Sequence, residues 1–213
     1  MSSLFLPASP DAAAPTRMAW LPGAYHGPQD FMNAGFASAV QRRGLALDLT
    51  FVDLAMQHVG DRGVIRRLRS EVILPARLAG RSIWLGGISL GGLIALDYAA
   101  SYPGELDGIC LFAPYLGNRL LTAEIAAAPG IAAWQPGKLA ETDEERRIWR
   151  YIKNSRADHQ PLYLGFGTDD RFAAAHRLLA AALPPDSVDE IAGSHEWRTW
   201  SALWENFLDA RFK

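Results

Sequence analysis

The residues best equipped for covalent chemistry lie in the run Ser82-Ile-Trp-Leu-Gly-Gly-Ile-Ser89-Leu-Gly-Gly. An apolar stretch leads straight into Gly87-Ile88-Ser89-Leu90-Gly91, and beyond it Leu93, Ile94, Leu96 and Tyr98 recur at helical spacing as far as Pro103. A serine at a tight strand-to-helix turn is held in a strained, exposed conformation. Glycines two residues to either side let neighbouring backbone pass without a Cβ clash. The hydroxyl then stands clear of the strand ends, and the Leu90 N–H together with the helix dipole can stabilise an oxyanion there. The competing reading is a glycine-rich turn in an ordinary βα unit. In a chain with 19 glycines the five letters alone are only moderately informative, so the strand-turn-helix setting carries the weight.

A serine hydroxyl is a weak nucleophile at neutral pH and needs a base, itself oriented by an acid. An apolar run ends in Gly165-Phe-Gly167-Thr-Asp169-Asp170-Arg, and either aspartate suits the acid. The spacing Gly-x-x-Asp favours Asp170, and one of the pair is expected to cap the helix that follows. A later run ends in Gly193-Ser194-His195-Glu196-Trp197, which makes His195 the base. Of the other histidines, His26 and His58 fall in loops, His159 in the approach to a strand and His176 in a helix, where surface or packing roles suffice. A second oxyanion donor belongs just after an early strand, the place of Trp20-Leu-Pro-Gly23-Ala24-Tyr25-His26-Gly27. Gly23 permits close approach there, and Ala24, with Tyr25 as the near alternative, offers the N–H. Tyr25 and Trp197 are the candidates to touch substrate. Trp197 also shares helical spacing with Trp200, Trp204, Phe207 and Leu208, the pattern of a buried face.

Taken together these residues resemble the α/β-hydrolase family, from Arg17 to Phe212. The chain order serine, aspartate, histidine is the one that fold uses. The stretch Gly193-Ser-His195-Glu-Trp197-Arg-Thr-Trp200 is similar to the His-x-Trp-x-x-Trp neighbourhood of an esterase branch that includes enterochelin esterases, esterase D and mycolyltransferases. By size the chain equally resembles small carboxylesterases and acyl-protein thioesterases. The resemblance implies a serine hydrolase cleaving a carboxylic ester or thioester through an acyl-serine intermediate. Its triad would be Ser89, Asp170 and His195, its oxyanion donors the Leu90 and Ala24 N–H groups, and it would need no cofactor or metal. Two departures stand out: Leu-Pro-Gly in the early loop where many relatives have His-Gly, and fewer strands than the full eight. Rival readings are an acyltransferase on the same triad and a degenerate hydrolase that binds an acyl ligand without turnover.

Positioning these residues takes repeated βα units. Short apolar runs alternate with helical patterns, which predicts an α/β fold with a mainly parallel sheet of about six strands and helices on both faces. The strands are expected at 17–22, 47–53, 82–87, 108–113, 161–166 and 187–192. Helices are expected at 30–43, stopped by Gly44, at 61–78, at 90–102, at 171–182 and after His195. Residues 1–16 read as a loose arm before a single domain, 17–213. Residues 117–158, broken by Pro129, Gly130, Pro136 and Gly137, read as a helical insertion that is either a lid or a cover for the sheet. Thr142 followed by Glu145 has capping-box spacing for a helix reaching about Asn154, with Ile148, Trp149 and Ile152 as its apolar stripe.

Composition narrows the partners. At 213 residues, 49% hydrophobic and 21% charged, the chain suits one soluble globular domain and one site. A net charge of -2 offers nothing to a polyanion, so a small ester or thioester is expected as partner in place of nucleic acid. The single cysteine, Cys110, rules out an internal disulfide or a multi-thiolate metal site and is expected in a buried strand. No H-E-x-x-H run and no G-x-G-x-x-G in register occurs. The N-terminus makes a poor signal peptide, and no segment approaches the roughly 18 apolar residues of a membrane span, so a cytoplasmic location is expected.

Overall fold

Leu47–Val52 carries Asp48 and Thr50 between apolar residues, yet all six of its residues are buried, so this strand is covered on both faces, with the Asp48 carboxylate paired to Arg81. The computed structural model describes residues 2–54, 63–138, 140, 142–154 and 160–212. His58, His159 and residues 61–62 of the second expected helix lie outside them. The strands are β1 (Ser3–Leu6), β2 (Thr16–Leu21), β3 (Leu47–Val52), β4 (Ser82–Ile88), β5 (Gly108–Phe112), β6 (Leu162–Gly167) and β7 (Val188–Ile191). They form a single sheet in the order β1-β3-β2-β4-β5-β6-β7, parallel except where β1 pairs antiparallel with β3. Six strands fall within a residue or two of expectation.

The seventh, β1, corrects the loose-arm reading of residues 1–16. Ser3–Leu6 covers the edge of β3, with Leu4 and Leu6 packed on the core. The run is only four residues long, too short to announce itself beside Pro7. Beyond it, the Ala8 N–H donates to the buried Asp48 carboxylate at 2.9 Å, and Arg81 pairs with the same group at 2.7 Å.

The helices are α1 (Pro28–Asn33), α2 (Phe36–Arg42), α3 (Gly63–Leu68), α4 (Leu74–Leu78), α5 (Leu90–Ser101), α6 (Arg119–Ala126), α7 (Glu144–Asn154), α8 (Ala173–Ala180) and α9 (Trp197–Arg211). The helix expected at 30–43 is split in two where Gly35 turns left-handed at φ 82°. The helix expected at 61–78 is α3 and α4 joined by a π-turn at Arg69–Ile73. In the insertion, Asp143 rather than Thr142 caps α7, its carboxylate accepting from the Arg146 N–H at 3.0 Å. Glu145 reaches instead to Tyr115 and Asn118. Ile148, Trp149 and Ile152 are buried as the stripe predicts, and Arg147 pairs with the buried Asp97 of α5.

One face of the sheet is covered by a core to which α3, α4, α5, α7 and α8 contribute. On the other, α1, α2 and α9 close over an aromatic cluster of Trp20, Phe31, Phe36, Trp204 and Phe207. Cys110 lies buried in β5, where desolvation pushes its thiol up. No helix among the described residues is long and apolar enough to cross a membrane.

The Asp48 carboxylate also offsets the partly buried Arg17, whose pKa is lowered by burial and by Arg81. Asp48→Asn would leave two guanidinium groups facing each other without a counter-charge and is expected to cost about 3 kcal/mol. The readout is a lower urea midpoint at unchanged slope; a shift equivalent to less than about 0.5 kcal/mol would show that the pair is not a structural tie.

Candidate active site

Strand β4 ends at Ile88 and α5 begins at Leu90, so the turn between them is the single residue Ser89, held at φ 52° and ψ −114°. Four backbone hydrogen bonds sustain this conformation. The Ser89 N–H donates to the Phe112 carbonyl at 3.0 Å, and its own carbonyl accepts from Gly92 at 3.0 Å, from the Leu93 N–H at 3.3 Å and from Tyr115 at 2.8 Å. The first turn of α5 is pressed against the end of β2, where a Cβ on Gly91 would lie 2.2 Å from the Leu21 carbonyl oxygen. That approach brings the loop after β2 beside the serine.

His195, in the loop between β7 and α9, places Nε2 3.0 Å from Ser89 Oγ and Nδ1 2.7 Å from Asp170 Oδ2. Asp170 follows β6. The two loops are tied by backbone bonds from Thr168 to Ile191 at 2.8 Å and from Asp169 to Gly193 at 2.9 Å. Asp170 is the buried member of the aspartate pair, and its Oδ1 accepts from the Phe172 N–H at 2.8 Å. Burial resists its ionisation, but the hydrogen bonds from His195 and Phe172 outweigh that and hold the carboxyl below the usual carboxylate range. Asp169 is exposed and contributes through its backbone. The imidazole is gripped edge-on by Phe172 at 5.3 Å and Trp200 at 5.1 Å between ring centroids.

In the loop after β2, the His26 N–H bonds back to the Gly23 carbonyl at 3.2 Å, with Tyr25 at φ 65°. This geometry fits a type II turn with Ala24 at its second position. The Ala24 N–H has no acceptor among the described residues, and Leu90, as the first residue of α5, has none within its helix. A Cβ on Gly23 would be 3.5 Å from Ser89 Cβ, so turn and serine are neighbours.

The two candidate substrate contacts lie in different surroundings. Trp200, not Trp197, packs on His195; Trp197 rests on His26, Phe31 and Phe36. Tyr25 is 89% exposed and lines none of the cavity described below. Sequence reasoning missed Phe172 and Tyr115, whose roles depend on a backbone N–H and a ring face. It also missed a cavity of about 550 Å³ lined in part by these two residues. His176 has a packing role, fully buried in α8 against Phe166, with Nε2–H donating to the Pro114 carbonyl at 3.0 Å. Among the described residues no group of three or more His, Cys, Asp or Glu side chains could hold a metal ion.

A hydroxyl, an imidazole and a buried carboxylate in hydrogen-bonded series can move a proton from oxygen to nitrogen while the carboxylate balances the charge. Their placement at the carboxyl ends of parallel strands, on a one-residue turn into a helix, defines an α/β-hydrolase. The family model described as "Putative esterase" matches residues 74–208, and the chain belongs to that family. Solved structures agree on the fold. The fluorophosphonate-binding serine hydrolase FphF of Staphylococcus aureus, a substrate-bound structure, has a TM-score of 0.65 at 12% identity, over 98% of this chain and 97% of that one. The S-formylglutathione hydrolase FrmB of the same organism scores 0.62 at 11% identity, over 94% and 83%. A monoacylglycerol lipase of Paleococcus ferrophilus scores 0.60 at 13% identity, over 96% and 98%. A search of the curated proteins returned no match. Family membership supports ester hydrolysis as the chemistry.

Burial lowers His176 from its ordinary value to about 4. The unfolded chain, with histidines near 6.5, therefore binds a proton that the folded chain refuses between pH 6.5 and 4. Stability is whole above pH 6.5 and falls as pH drops through that window, by roughly 3 kcal/mol from this group. Denaturant unfolding at stepped pH checks this. His176→Gln, which keeps a donor for Pro114, is expected to flatten the slope; an unchanged slope would assign it to other groups.

Proposed function

We propose that this protein is a serine carboxylesterase or thioesterase in which Ser89, His195 and Asp170 form a catalytic triad. The observation that carries the reading is the continuous hydrogen-bonded series from Ser89 Oγ through the imidazole to Asp170. The Ser89 oxygen attacks the substrate carbonyl while His195 Nε2 takes its proton, and the Asp170 carboxylate holds the imidazolium in place. Charge on the tetrahedral oxygen is met by the Leu90 and Ala24 N–H groups. The intermediate collapses to acyl-serine, and the leaving alcohol or thiol departs with the proton from His195. Water, deprotonated by the same imidazole, then attacks the acyl-serine, and the acid and free serine are released. Tyr25, on the rim of the loop after β2, is proposed as a substrate contact outside the catalytic chemistry.

The test is labelling with a fluorophosphonate followed by mapping of the modified peptide. Label on Ser89, absent in Ser89→Ala and sharply reduced in His195→Ala, is the expected result. No label on folded protein would leave the binding-protein reading in its place. With an aryl ester, Asp170→Asn is expected to lower kcat by about 10³ to 10⁴ with KM little changed. Ala24→Pro isolates the second oxyanion donor, because proline is well tolerated at the second position of a type II turn and carries no N–H. It is expected to lower kcat about 10²-fold or more at unchanged thermal midpoint; full activity would remove Ala24 from the oxyanion site.

A further inference from the structure

The cavity of about 550 Å³ lies between α6 and α8, and two of its lining residues, Tyr115 and Phe172, are bonded to Ser89 and Asp170. Tyr115 donates its N–H to the Ser89 carbonyl. Phe172 donates its own to Asp170 and lays its ring edge-on against His195. The side walls are Ala123, Ala126, Ala174, Ala175 and Leu178. Small side chains on two facing helices leave a slot suited to a hydrocarbon chain, in the size range of small-ligand sites.

Two arginines line this slot, Arg119 in the first turn of α6 and Arg171 in the loop before α8. Several other arginines carry an acid: Arg42 and Arg43 meet Glu205, Arg69 meets Glu105, Arg146 meets Glu124 and Arg177 meets Glu190. Neither Arg119 nor Arg171 has an acidic partner among the described residues, and no acidic residue lines the cavity. Arg171 is positioned all the same, its guanidinium 4.8 Å from the centre of the Phe172 ring. The carboxylate of Glu145, behind this wall, accepts from the Tyr115 hydroxyl at 2.9 Å, the Asn118 N–H at 3.0 Å and the Asn118 amide at 2.6 Å. Those three bonds occupy the carboxylate, and no ion pair joins it to either arginine among the described residues.

We propose that the substrate is an ester bearing a carboxylate, whose hydrocarbon portion fills the alanine-walled slot while its carboxylate is held by Arg119 and Arg171. The inference rests on the serine hydrolase reading and narrows its substrate class to anionic esters. A guanidinium fork recognises a planar carboxylate through paired hydrogen bonds that a neutral chain end cannot supply.

Two substrate pairs of matched length test it: monomethyl adipate against methyl hexanoate, and 6-acetoxyhexanoate against hexyl acetate. The pairs place the charge in the acid half and in the alcohol half. The expected result is that the anionic member of one pair has kcat/KM about tenfold or more above its neutral partner. In Arg119→Gln/Arg171→Gln that advantage, taken as the ratio of anionic to neutral ester for the same protein, should vanish through KM of the anionic ester. Preference for the neutral member in both pairs, or a preference for the anion that survives the double variant, overturns the proposal. A binding arm reads recognition without turnover: Ser89→Ala protein should take up adipate monoamide more tightly than hexanamide by calorimetry, and the two arginine substitutions should erase the difference. Equal binding of the two amides counts against the proposal. If fluorophosphonate labels Ser89 but charge preference is missing, the anionic-substrate inference alone fails; if Ser89 does not label, the serine hydrolase reading fails beneath it.

Discussion

A single residue must turn the chain from β4 into α5, and a side chain larger than hydrogen resists the left-handed conformation that turn requires. Ser89 holds φ 52° because its backbone is bonded on both sides, to Phe112 of the neighbouring strand and to Gly92 and Tyr115 ahead of it. Strain of this kind costs on the order of 1–3 kcal/mol and persists only where the surroundings over-determine it. The surroundings here are the parallel pairing of β4 with β5, the apolar seat of α5 on the sheet, and the contact of Gly91 with the end of β2. Remove that frame and the hydroxyl has no fixed relation to the imidazole, to the loop after β2 or to the cavity.

The electrostatics of the site follow from the same frame. Asp170 and His176 are both buried near Phe172, and burial acts on them in opposite chemical senses. The carboxylate stays charged because two hydrogen bonds repay its desolvation, whereas His176, with one carbonyl partner, remains neutral. Phe172 belongs to both arrangements: its N–H fixes the carboxylate, and its ring meets His195 on one side and Tyr115 on another. One aromatic residue thus connects the hydrogen-bonded series of Ser89, His195 and Asp170 to the cavity wall.

Much of this was legible in the sequence. The strands β4, β6 and β7 have a glycine at or within two residues of their carboxyl ends, Gly87, Gly167 and Gly193, and the residues just beyond are the ones the fold gathers: Ser89, Asp170 and His195. Periodicity could not supply what depends on pairing or on one backbone angle. Ser3–Leu6 becomes a strand only because β3 offers a free edge, and Gly35 splits a helix through a φ that spacing does not encode. Asp143 displaces Thr142 as the cap of α7 because Glu145, the would-be partner in the capping box, is drawn away to Tyr115 and Asn118. Trp200 rather than Trp197 reaches His195 because the start of α9, not distance along the chain, decides which ring faces the loop. The cavity was the least visible feature, since alanines on two separate helices leave no joint mark in the sequence.

The departure from the common His-Gly pattern in the loop after β2 is the best argument for a site that has lost its chemistry, and the geometry bears on it directly. Oxyanion stabilisation asks this loop for a backbone N–H beside the serine, free of other bonds; the side chain ahead of the glycine is a means of holding the loop. Here Pro22 precedes Gly23, the turn closes through His26 N–H to the Gly23 carbonyl, and the Ala24 N–H is left without an internal acceptor. The His26 ring packs edge-on against Trp197 and Trp200, and its Nδ1 would lie 3.2 Å from a Cβ on Gly23. An imidazole is therefore present at the loop, but it enters from the far side of the turn and braces it against α9. On the proposed reading the loop keeps what the reaction requires and changes only the scaffold that holds it, so the substitution argues for a different support and not for a dead site.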